Sequence, residues 1–249
     1  MMKRFIFSIF LLPLLLASPQ TKAQGIMLTP KWTAQAQFTG YYVADKLGFY
    51  KEEGIDVCVQ HPAISESSFS FMEKGRAPVV IMNLSYAFME RLAGARVVNV
   101  MQTSQENSLM LISHSPLKGE ESLRNQKIAV WNHLSQKLLD RLAEHYALKQ
   151  VEWIRFNSGV NVFLSGAADP CLVGSYNEYL QLSEYGMNVD SIYSIRLADY
   201  GYNLPEDGLY VTEEFYNQYP EVVRKLVKAS MRGWAWTNEH REEALDMVM

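Results

Sequence analysis

Short apolar runs alternate with amphipathic segments through most of this 249-residue chain. The runs are nearly continuously apolar, which is typical of strands that are buried on both faces. The predicted strands are Ile26–Leu28, Ile55–Val59, Val79–Met82, Val97–Met101, Leu109–Ser113, Lys127–Val130, Val151–Phe156, Pro170–Val173 and Ile192–Ile195. The predicted helices are Phe38–Glu53, Glu66–Lys74, Tyr86–Ala93, Ser135–Ala147 and Tyr176–Glu184. Repeated succession of strand, helix and strand predicts an α/β fold with largely parallel sheets.

The first 23 residues have the pattern of a secretory signal peptide. Lys3 and Arg4 precede an apolar run over residues 5–17, and the small residues Thr21 and Ala23 precede a plausible cleavage site before Gln24. Such a pattern is typical of a cleaved leader. The apolar run is shorter than the roughly 20 residues that a membrane-spanning helix needs. We therefore expect a leader over residues 1–23 and a periplasmic protein that is not embedded in the membrane, with an uncleaved signal anchor as the alternative.

Charge, cysteines and motifs exclude several function classes. A formal net charge of −4 offers no basic surface for nucleic acid or anionic lipid. Cys58 and Cys171 lie far apart in apolar, strand-like contexts, which we interpret as two buried, unpaired thiols rather than a disulfide. The sequence has no Gly-x-Ser-x-Gly, His-Glu-x-x-His, Cys-x-x-Cys or phosphate-binding glycine motif. We predict no catalytic site, no cofactor and no metal site.

The stretch from Trp32 to Val57 is the most informative segment for function. A polar loop that contains Trp32 leads into a helix predicted to begin near Phe38, and Gly54 ends this helix before the next strand. Backbone N–H groups at a helix start are unpaired, and the helix dipole there favours electron-rich groups. The pattern predicts a binding site for a flat, polar small molecule.

This stretch also closely resembles one family of extracytoplasmic solute-binding proteins, shared by binders of aliphatic sulfonates and of thiamine-pyrimidine precursors. Its members typically carry Trp-x-x-x-x-Gln-Phe-x-Gly-Tyr-Tyr-Val-Ala and then Gly-Phe-Tyr-x-x-x-Gly-[Leu/Ile]-Asp-Val, which this chain matches at nearly every position. Further similar segments follow in order: Val79–Asn83 with Ser85, Ile128–Val130, Ser165–Asp169, Tyr176–Glu178, Asp199–Asn203, Val211–Phe215 and Arg232–Trp234. Members usually continue for several tens of residues beyond this end, so we expect the chain to be a fragment.

The resemblance implies a two-lobed periplasmic-binding-protein fold of type II-like topology, with mixed, mostly parallel sheets and a hinge of two crossings. The polar stretch 102–108 and the Gly- and Pro-containing stretch 198–208 are the expected crossings. Lobe 1 would then comprise residues 24–104 and 206–249, and lobe 2 residues 105–205. Ligands of such folds bind where strand carboxyl ends meet the cleft. The resemblance further implies a monomer that delivers a small molecule to the permease of an ABC importer.

The candidate ligand-binding residues are aromatic or polar side chains expected at this cleft: Trp32, Gln37, Tyr41, Asn83, Ser85, Trp131, Asn132, Tyr176, Glu178 and Tyr202. Aromatic stacking on a flat ligand can contribute ~1–3 kcal/mol per base. We expect Trp131 to be exposed to the cleft, since it directly follows a predicted strand. Glu178 is the most specific candidate, because a carboxylate can accept N–H bonds from an aminopyrimidine edge.

Each candidate also has a structural alternative. Trp32 could be a core residue, Ser85 a helix cap, and Glu178 a first-turn residue that complements the helix dipole. Tyr41 and Tyr42 point to different sides of their helix, so only one of them should face the cleft. We place Tyr41 among the ligand candidates and Tyr42 in the core, with the reverse assignment as the alternative.

The aromatic candidates and Glu178 favour a planar heterocycle, either a thiamine-pyrimidine precursor or a flavin. An aliphatic sulfonate such as taurine is the alternative, with Arg76 and Arg155 as candidate donors. An extracytoplasmic sensing module is a third hypothesis. One enzyme of similar fold, a pyrimidine synthase of thiamine biosynthesis, carries a cysteine-rich iron site that this chain lacks, so we expect a binding protein.

Overall fold

A computed structural model describes residues 25–63, 66–118, 120–124, 126–131, 139–140, 143–144, 150–157 and 159–248. The predicted signal peptide, the candidate Asn132 and the predicted helix start at Ser135 lie outside these ranges. The strands are β1 (Ile26–Thr29), β2 (Val57–Val59), β3 (Val79–Asn83), β4 (Val97–Gln102), β5 (Leu109–Ser113), β6 (Lys127–Trp131), β7 (Glu152–Phe156), β8 (Cys171–Gly174), β9 (Tyr193–Arg196) and β10 (Asp207–Thr212). The α-helices are α1 (Thr39–Lys46), α2 (Phe49–Glu52), α3 (Ser68–Glu73), α4 (Leu84–Leu92), α5 (Asn161–Leu164), α6 (Glu178–Glu184), α7 (Glu213–Gln218), α8 (Pro220–Glu239) and α9 (Arg241–Asp246). Single 3₁₀ turns occur at Ala36–Phe38, Glu120–Leu123, Val189–Ser191 and Leu197–Tyr200.

Two five-stranded mixed sheets form the frame of the molecule. Their strand orders are β2-β1-β3-β10-β4 and β7-β6-β8-β5-β9. In each sheet one strand, β10 or β5, runs antiparallel to both of its neighbours, so the other four strands share one direction. The chain passes from the first sheet to the second between β4 and β5, and returns between β9 and β10. The architecture is therefore two α/β lobes joined by two crossings.

The predicted strands are all present, with ends that differ by two residues at most. The helix predicted over residues 38–53 is divided into α1 and α2 at Gly48, whose φ of 77° lies in the left-handed region that glycine adopts most readily. Strand β10 was not predicted, because Asp207 and Gly208 continue a stretch whose Gly and Pro content favours a loop. The 20-residue helix α8 was also not predicted.

Each sheet is covered by apolar side chains on both faces. On the first sheet, α1, α2 and α8 cover one face and α3 and α4 the other. The hydroxyl of Tyr50 lies 3.0 Å from Ser230 Oγ and joins α2 to α8 inside this core. Within the described part of the chain, no helix combines the length and apolar character that a membrane crossing requires.

The two cysteines lie on different sheets and are both free. Cys171 is buried in β8, as predicted. The prediction is wrong for Cys58, which is exposed. Strand β2 lies at the edge of its sheet, and side chains alternate between faces along a strand, so Cys58 points to solvent between Val57 and Val59.

Candidate functional site

The ends of three strands of the first sheet meet around the ammonium of Lys31. Lys31 follows β1, Asn83 ends β3 and Asp207 begins the antiparallel β10, directly opposite Asn83. Lys31 Nζ donates to Asn83 Oδ1 at 2.6 Å and lies 2.5 Å from Asp207 Oδ1. The Lys31 side chain is 20% exposed.

The two crossings between the lobes are hydrogen-bonded to each other. On the first crossing, the Thr103 hydroxyl donates to the Asp207 carbonyl at 2.8 Å. The Ser108 hydroxyl lies 2.9 Å and 3.1 Å from the two carboxylate oxygens of Glu206. Burial raises the pKa of the Glu206 carboxyl, while the nearby charge of Lys31 acts in the opposite direction. Glu206 is thus a partly buried acceptor at the hinge, close to Lys31.

Asn107 makes a second link between the crossings. Its backbone N–H donates to Asn203 Oδ1 at 3.0 Å, and its side-chain amide donates to the carbonyl of Tyr202. The ring of the candidate Tyr202 packs, partly buried, against a core cluster of the second lobe. Tyr202 therefore lies in the hinge, where the sequence placed it.

Glu178, at the start of α6, is buried and accepts hydrogen bonds from three protein donors. Trp131 Nε1 donates to Oε1 at 3.1 Å, the Asn177 amide donates to Oε1 at 3.2 Å, and the backbone N–H of Gly174 donates to Oε2 at 3.0 Å. A Cβ at Gly174 would lie 3.2 Å from Glu178 Oε2, so this close approach favours glycine. Glu178 joins the end of β6 to the end of β8, and its carboxylate organises the second lobe.

Trp131 is 9% exposed, which corrects the prediction that it would be open to the cleft. Its ring packs in the core of the second lobe and lies 6.2 Å from the ring of Phe156. Because Glu178 accepts its N–H, the indole can be buried without an unsatisfied donor.

Tyr176 precedes α6 and is the exposed aromatic candidate of the second lobe, with 43% of its surface accessible. The pKa of its hydroxyl is raised, chiefly by lost solvation and then by the carboxylates of Glu206, Asp207 and Glu178. A hydrogen bond to Ser108 acts against this shift. Tyr176 is therefore close to both the hinge and the acidic side chains of the first lobe.

The loop that carries Trp32 is held by a histidine that the sequence analysis did not single out. His61 Nδ1 is hydrogen-bonded to the carbonyl of Trp32, and His61 Nε2 lies 2.6 Å from the Tyr42 hydroxyl. A carbonyl can only accept, so Nδ1 carries the proton and the neutral ring accepts from Tyr42 at Nε2. Burial lowers the pKa of His61, and the Trp32 carbonyl partly offsets this effect. The Trp32 ring itself packs, partly buried, on the first core.

Tyr41 and Gln37 lie deeper than the predicted cleft surface. The Tyr41 ring is 1% exposed and packs edge-on against Trp234 at 5.7 Å, while its hydroxyl lies 3.4 Å from Thr103 Oγ1 at the hinge. Burial raises the Tyr41 pKa well above its ordinary value. Gln37 Oε1 is buried and has no hydrogen-bond partner among the described residues.

Ser85 is exposed on the first turn of α4. Its alternative role as helix cap is wrong, because the N-cap residue is Asn83, whose side chain accepts from Lys31 instead of capping the helix. Ser85 nevertheless shares the sheet edge at which Asn83 and Lys31 meet.

The cleft is rich in carboxylates. Three of them, Glu178, Glu206 and Asp207, are grouped around Tyr176, whereas Lys31 is the cation that the described residues place beside them. Arg76 lies at the opposite end of β3, beside Glu66 and over the Phe71 ring, and Arg155 is exposed on the edge strand β7. No group of three metal-ligating side chains occurs in the part of the chain that the structure covers. The arrangement can accept N–H donors and stack a ring.

Four residues of this site were missed by the sequence reasoning: Lys31, Ser108, Glu206 and Asp207. Lys31 directly precedes Trp32, and Ser108, Glu206 and Asp207 lie within the predicted crossings. Polar side chains at both crossings of a two-lobed fold were the signal that could have identified them.

The family model and the most similar relatives place this chain in the same family. The family described as NMT1/THI5 like matches residues 35–244. The riboflavin-binding protein RibY of Chloroflexus aurantiacus is 29% identical over 92% of this chain and 67% of its own length. The formylaminopyrimidine-binding protein of Halalkalibacterium halodurans is 24% identical over 100% of this chain and 79% of its own length. A yeast relative at 22% identity, covering 80% of this chain and 62% of its own length, is named 4-amino-5-hydroxymethyl-2-methylpyrimidine phosphate synthase.

Solved structures agree on the fold. The periplasmic aliphatic sulphonate binding protein SsuA from Escherichia coli superposes with a TM-score of 0.70 over 90% of this chain and 77% of its own, at 14% identity. At this identity the likeness shows a shared fold. The chain has a periplasmic-binding-protein fold and belongs to the NMT1/THI5-like family.

Proposed function

We propose that this protein is the periplasmic substrate-binding component of an ABC importer for a planar heterocycle, such as a thiamine-pyrimidine precursor or a flavin. The observation that carries the proposal is the charge of the cleft. Glu178, Glu206 and Asp207 outnumber Lys31, and Asp207 already neutralises that ammonium at 2.5 Å. A sulfonate anion would be repelled there, whereas a ring with N–H donors would meet acceptors.

The relatives support the same ligand class. The riboflavin-binding and formylaminopyrimidine-binding proteins carry names of planar nitrogen heterocycles, and both match more than nine-tenths of this chain. The likeness to the sulfonate binder rests on the fold at 14% identity. Relatives named as synthases leave an enzyme as a second hypothesis.

Most of the predicted ligand residues are assigned a role in this proposal. Tyr176, with its exposed ring, is assigned to stacking, and Trp32 to the opposite wall. Asn83 holds Lys31 in position. The Tyr41 hydroxyl, Gln37 Oε1, Ser85, Tyr202 and Asn132 complete the proposed set, while Trp131 supports the site through Glu178.

We further propose that the lobes, residues 24–104 with 206–249 and residues 105–205, close over the ligand about the two crossings. The hydrogen bonds that link Asn107 to Asn203 and Ser108 to Glu206 join the crossings and would restrict the closing motion to the hinge. The closed monomer, exported by the leader over residues 1–23, would then present its ligand to the permease.

A thermal-shift panel tests the function. The protein, expressed with its own leader and recovered from the periplasm, is mixed with riboflavin, 4-amino-5-hydroxymethyl-2-methylpyrimidine, formylaminopyrimidine, taurine or an alkyl sulfonate. A ligand at about 100 times its dissociation constant adds roughly 2.7 kcal/mol to the free energy of unfolding. A heterocycle should raise the melting temperature. A shift with sulfonates alone would refute the ligand class. If no compound shifts the melting temperature, a sensing module for another ligand is favoured.

A further inference from the structure

We propose that Glu206, and not Glu178, is the carboxylate that accepts an N–H of the ligand, and that Lys31 donates to the adjacent ring nitrogen or carbonyl. The two side chains would hydrogen-bond to one polar edge of the heterocycle, at which an acceptor lies beside an N–H. The inference rests on the proposed heterocycle-binding function and assigns its specificity to two residues.

Glu178 has little capacity left for a ligand. Its two oxygens already accept from Trp131, Asn177 and the backbone of Gly174, and the residue is 7% exposed. A ligand N–H that reached this carboxylate would have to displace a protein donor that is itself buried, and an unsatisfied buried donor is costly.

The Glu206 carboxylate has more acceptor capacity left for a ligand. Among the described residues its donors are the hydroxyl and the backbone N–H of Ser108, which together use two of the roughly four lone-pair positions of a carboxylate. The backbone carbonyl of Glu206 accepts from Leu84 N at 2.8 Å, so the residue is fixed beside Asn83, the partner of Lys31. Glu206 is therefore a positioned acceptor with free capacity.

Lys31 supplies a matching donor. An ammonium has three N–H groups, and the described contacts use two of them, toward Asn83 Oδ1 and Asp207 Oδ1. These two partners hold Nζ at the ends of β1, β3 and β10, while the side chain stays 20% exposed. The third N–H can then be donated to a ligand. Glu206 directly precedes Asp207, the ion-pair partner of Lys31, so donor and acceptor lie on the same side of the hinge.

This pair fits two kinds of planar edge. A lactam or imide, as in a flavin, has a carbonyl beside an N–H, and an aminopyrimidine has a ring nitrogen beside an amino group. Methylation of the N–H removes the donor from either edge and leaves the ring intact. The Glu206 acceptor would then lack its partner, and sites built around a hydrogen bond discriminate strongly against ligands that lack it.

The test is calorimetric titration of the full chain with two ligand pairs: riboflavin and N3-methylriboflavin, and 4-amino-5-hydroxymethyl-2-methylpyrimidine and its 4-dimethylamino analogue. Whichever unmethylated ligand binds the wild type should bind at least about tenfold more tightly than its N-methylated analogue. Two variants are compared, Glu206→Met and Glu178→Gln. Glu206→Met removes the acceptor, which a glutamine would keep in its amide oxygen, and should reduce this discrimination by about tenfold, whereas Glu178→Gln should retain it even where affinity or melting temperature falls.

The outcomes separate the inference from the function on which it rests. Equal binding of a parent and its methylated analogue would overturn the Lys31–Glu206 assignment and leave the heterocycle function standing. Loss of discrimination in Glu178→Gln alone would assign the N–H to Glu178 and refute the inference. If neither parent binds, the inference and the proposed ligand class fall together. The ligand pairs need no mutation, so the wild-type comparison still tests the predicted contact to the ligand N–H where a variant fails to fold.

Discussion

Lys31 Nζ lies 2.5 Å from Asp207 Oδ1, across 176 residues of sequence, and joins the loop after β1 to the first residue of β10. The Asp207 side chain is 9% exposed, so this ion pair is largely removed from solvent. The pair fixes the edge of the first sheet that faces the hinge and neutralises the ammonium that would otherwise attract anions.

Replacing Asp207 by Asn should lower the free energy of unfolding by about 2 kcal/mol, because Lys31 loses its charged partner in a largely buried setting. Urea denaturation followed by circular dichroism measures this. The control is Glu53→Gln, which removes the partner of the exposed Lys228, and should leave the midpoint unchanged. Equal effects of the two substitutions would show that the Lys31–Asp207 pair has no special structural role.

Glu178→Gln should destabilise the protein by about 1–3 kcal/mol in the absence of any ligand. The carboxylate accepts from Trp131 and from the Gly174 N–H on different oxygens, and an amide can present an acceptor to only one of them. Thermal unfolding followed by tryptophan fluorescence measures the effect. A variant as stable as the wild type would argue that Glu178 is free to serve the ligand, as its sequence position first suggested.

The stability of the protein should fall as the pH drops below about 6.5, with a contribution from His61. Burial holds the folded-state pKa of His61 below its ordinary value of 6.5. The unfolded chain therefore binds a proton before the folded state does, so the contribution is complete above pH 6.5 and is lost between that value and the lower folded pKa. Denaturation midpoints at several pH values, for wild type and His61→Gln, measure it.

The His61 variant should show a shallower loss of stability over that pH window. It should also loosen the Trp32 loop, since the Nδ1 bond to the Trp32 carbonyl is gone. Identical pH profiles for the two proteins would mean that His61 does not titrate differently in the folded and unfolded states.

The two thiols should differ in reactivity in the native protein. Cys58 is exposed, whereas burial, with the nearby Glu178 and Asp169 carboxylates, raises the pKa of Cys171 to about 12. Thiolates are the reactive form, so Cys58 should react readily with a maleimide and Cys171 only after unfolding. Mass spectrometry of the labelled protein, with Cys58→Ser as control, counts the adducts. Labelling of native Cys58→Ser would contradict the buried position of Cys171.

Local patterns predicted the secondary structure better than they predicted the site. Apolar runs located nine strands, because a strand that is buried on both faces is apolar along nearly its whole length. The break at Gly48 and the strand β10 were missed, since both depend on backbone geometry or sheet partners outside the local window. The contacts of Glu178 were not foreseen for a similar reason: its donor Trp131 lies 47 residues away, and no local pattern reveals that their side chains meet.

Native mass spectrometry of the periplasmic protein, incubated with an equimolar mixture of riboflavin, 4-amino-5-hydroxymethyl-2-methylpyrimidine, taurine and methanesulfonate, tests the central claim most directly. The acidic cleft around Glu206 and Asp207 predicts a one-to-one complex with one of the two heterocycles and no sulfonate adduct. A complex with taurine or methanesulfonate, and none with either heterocycle, would contradict the account.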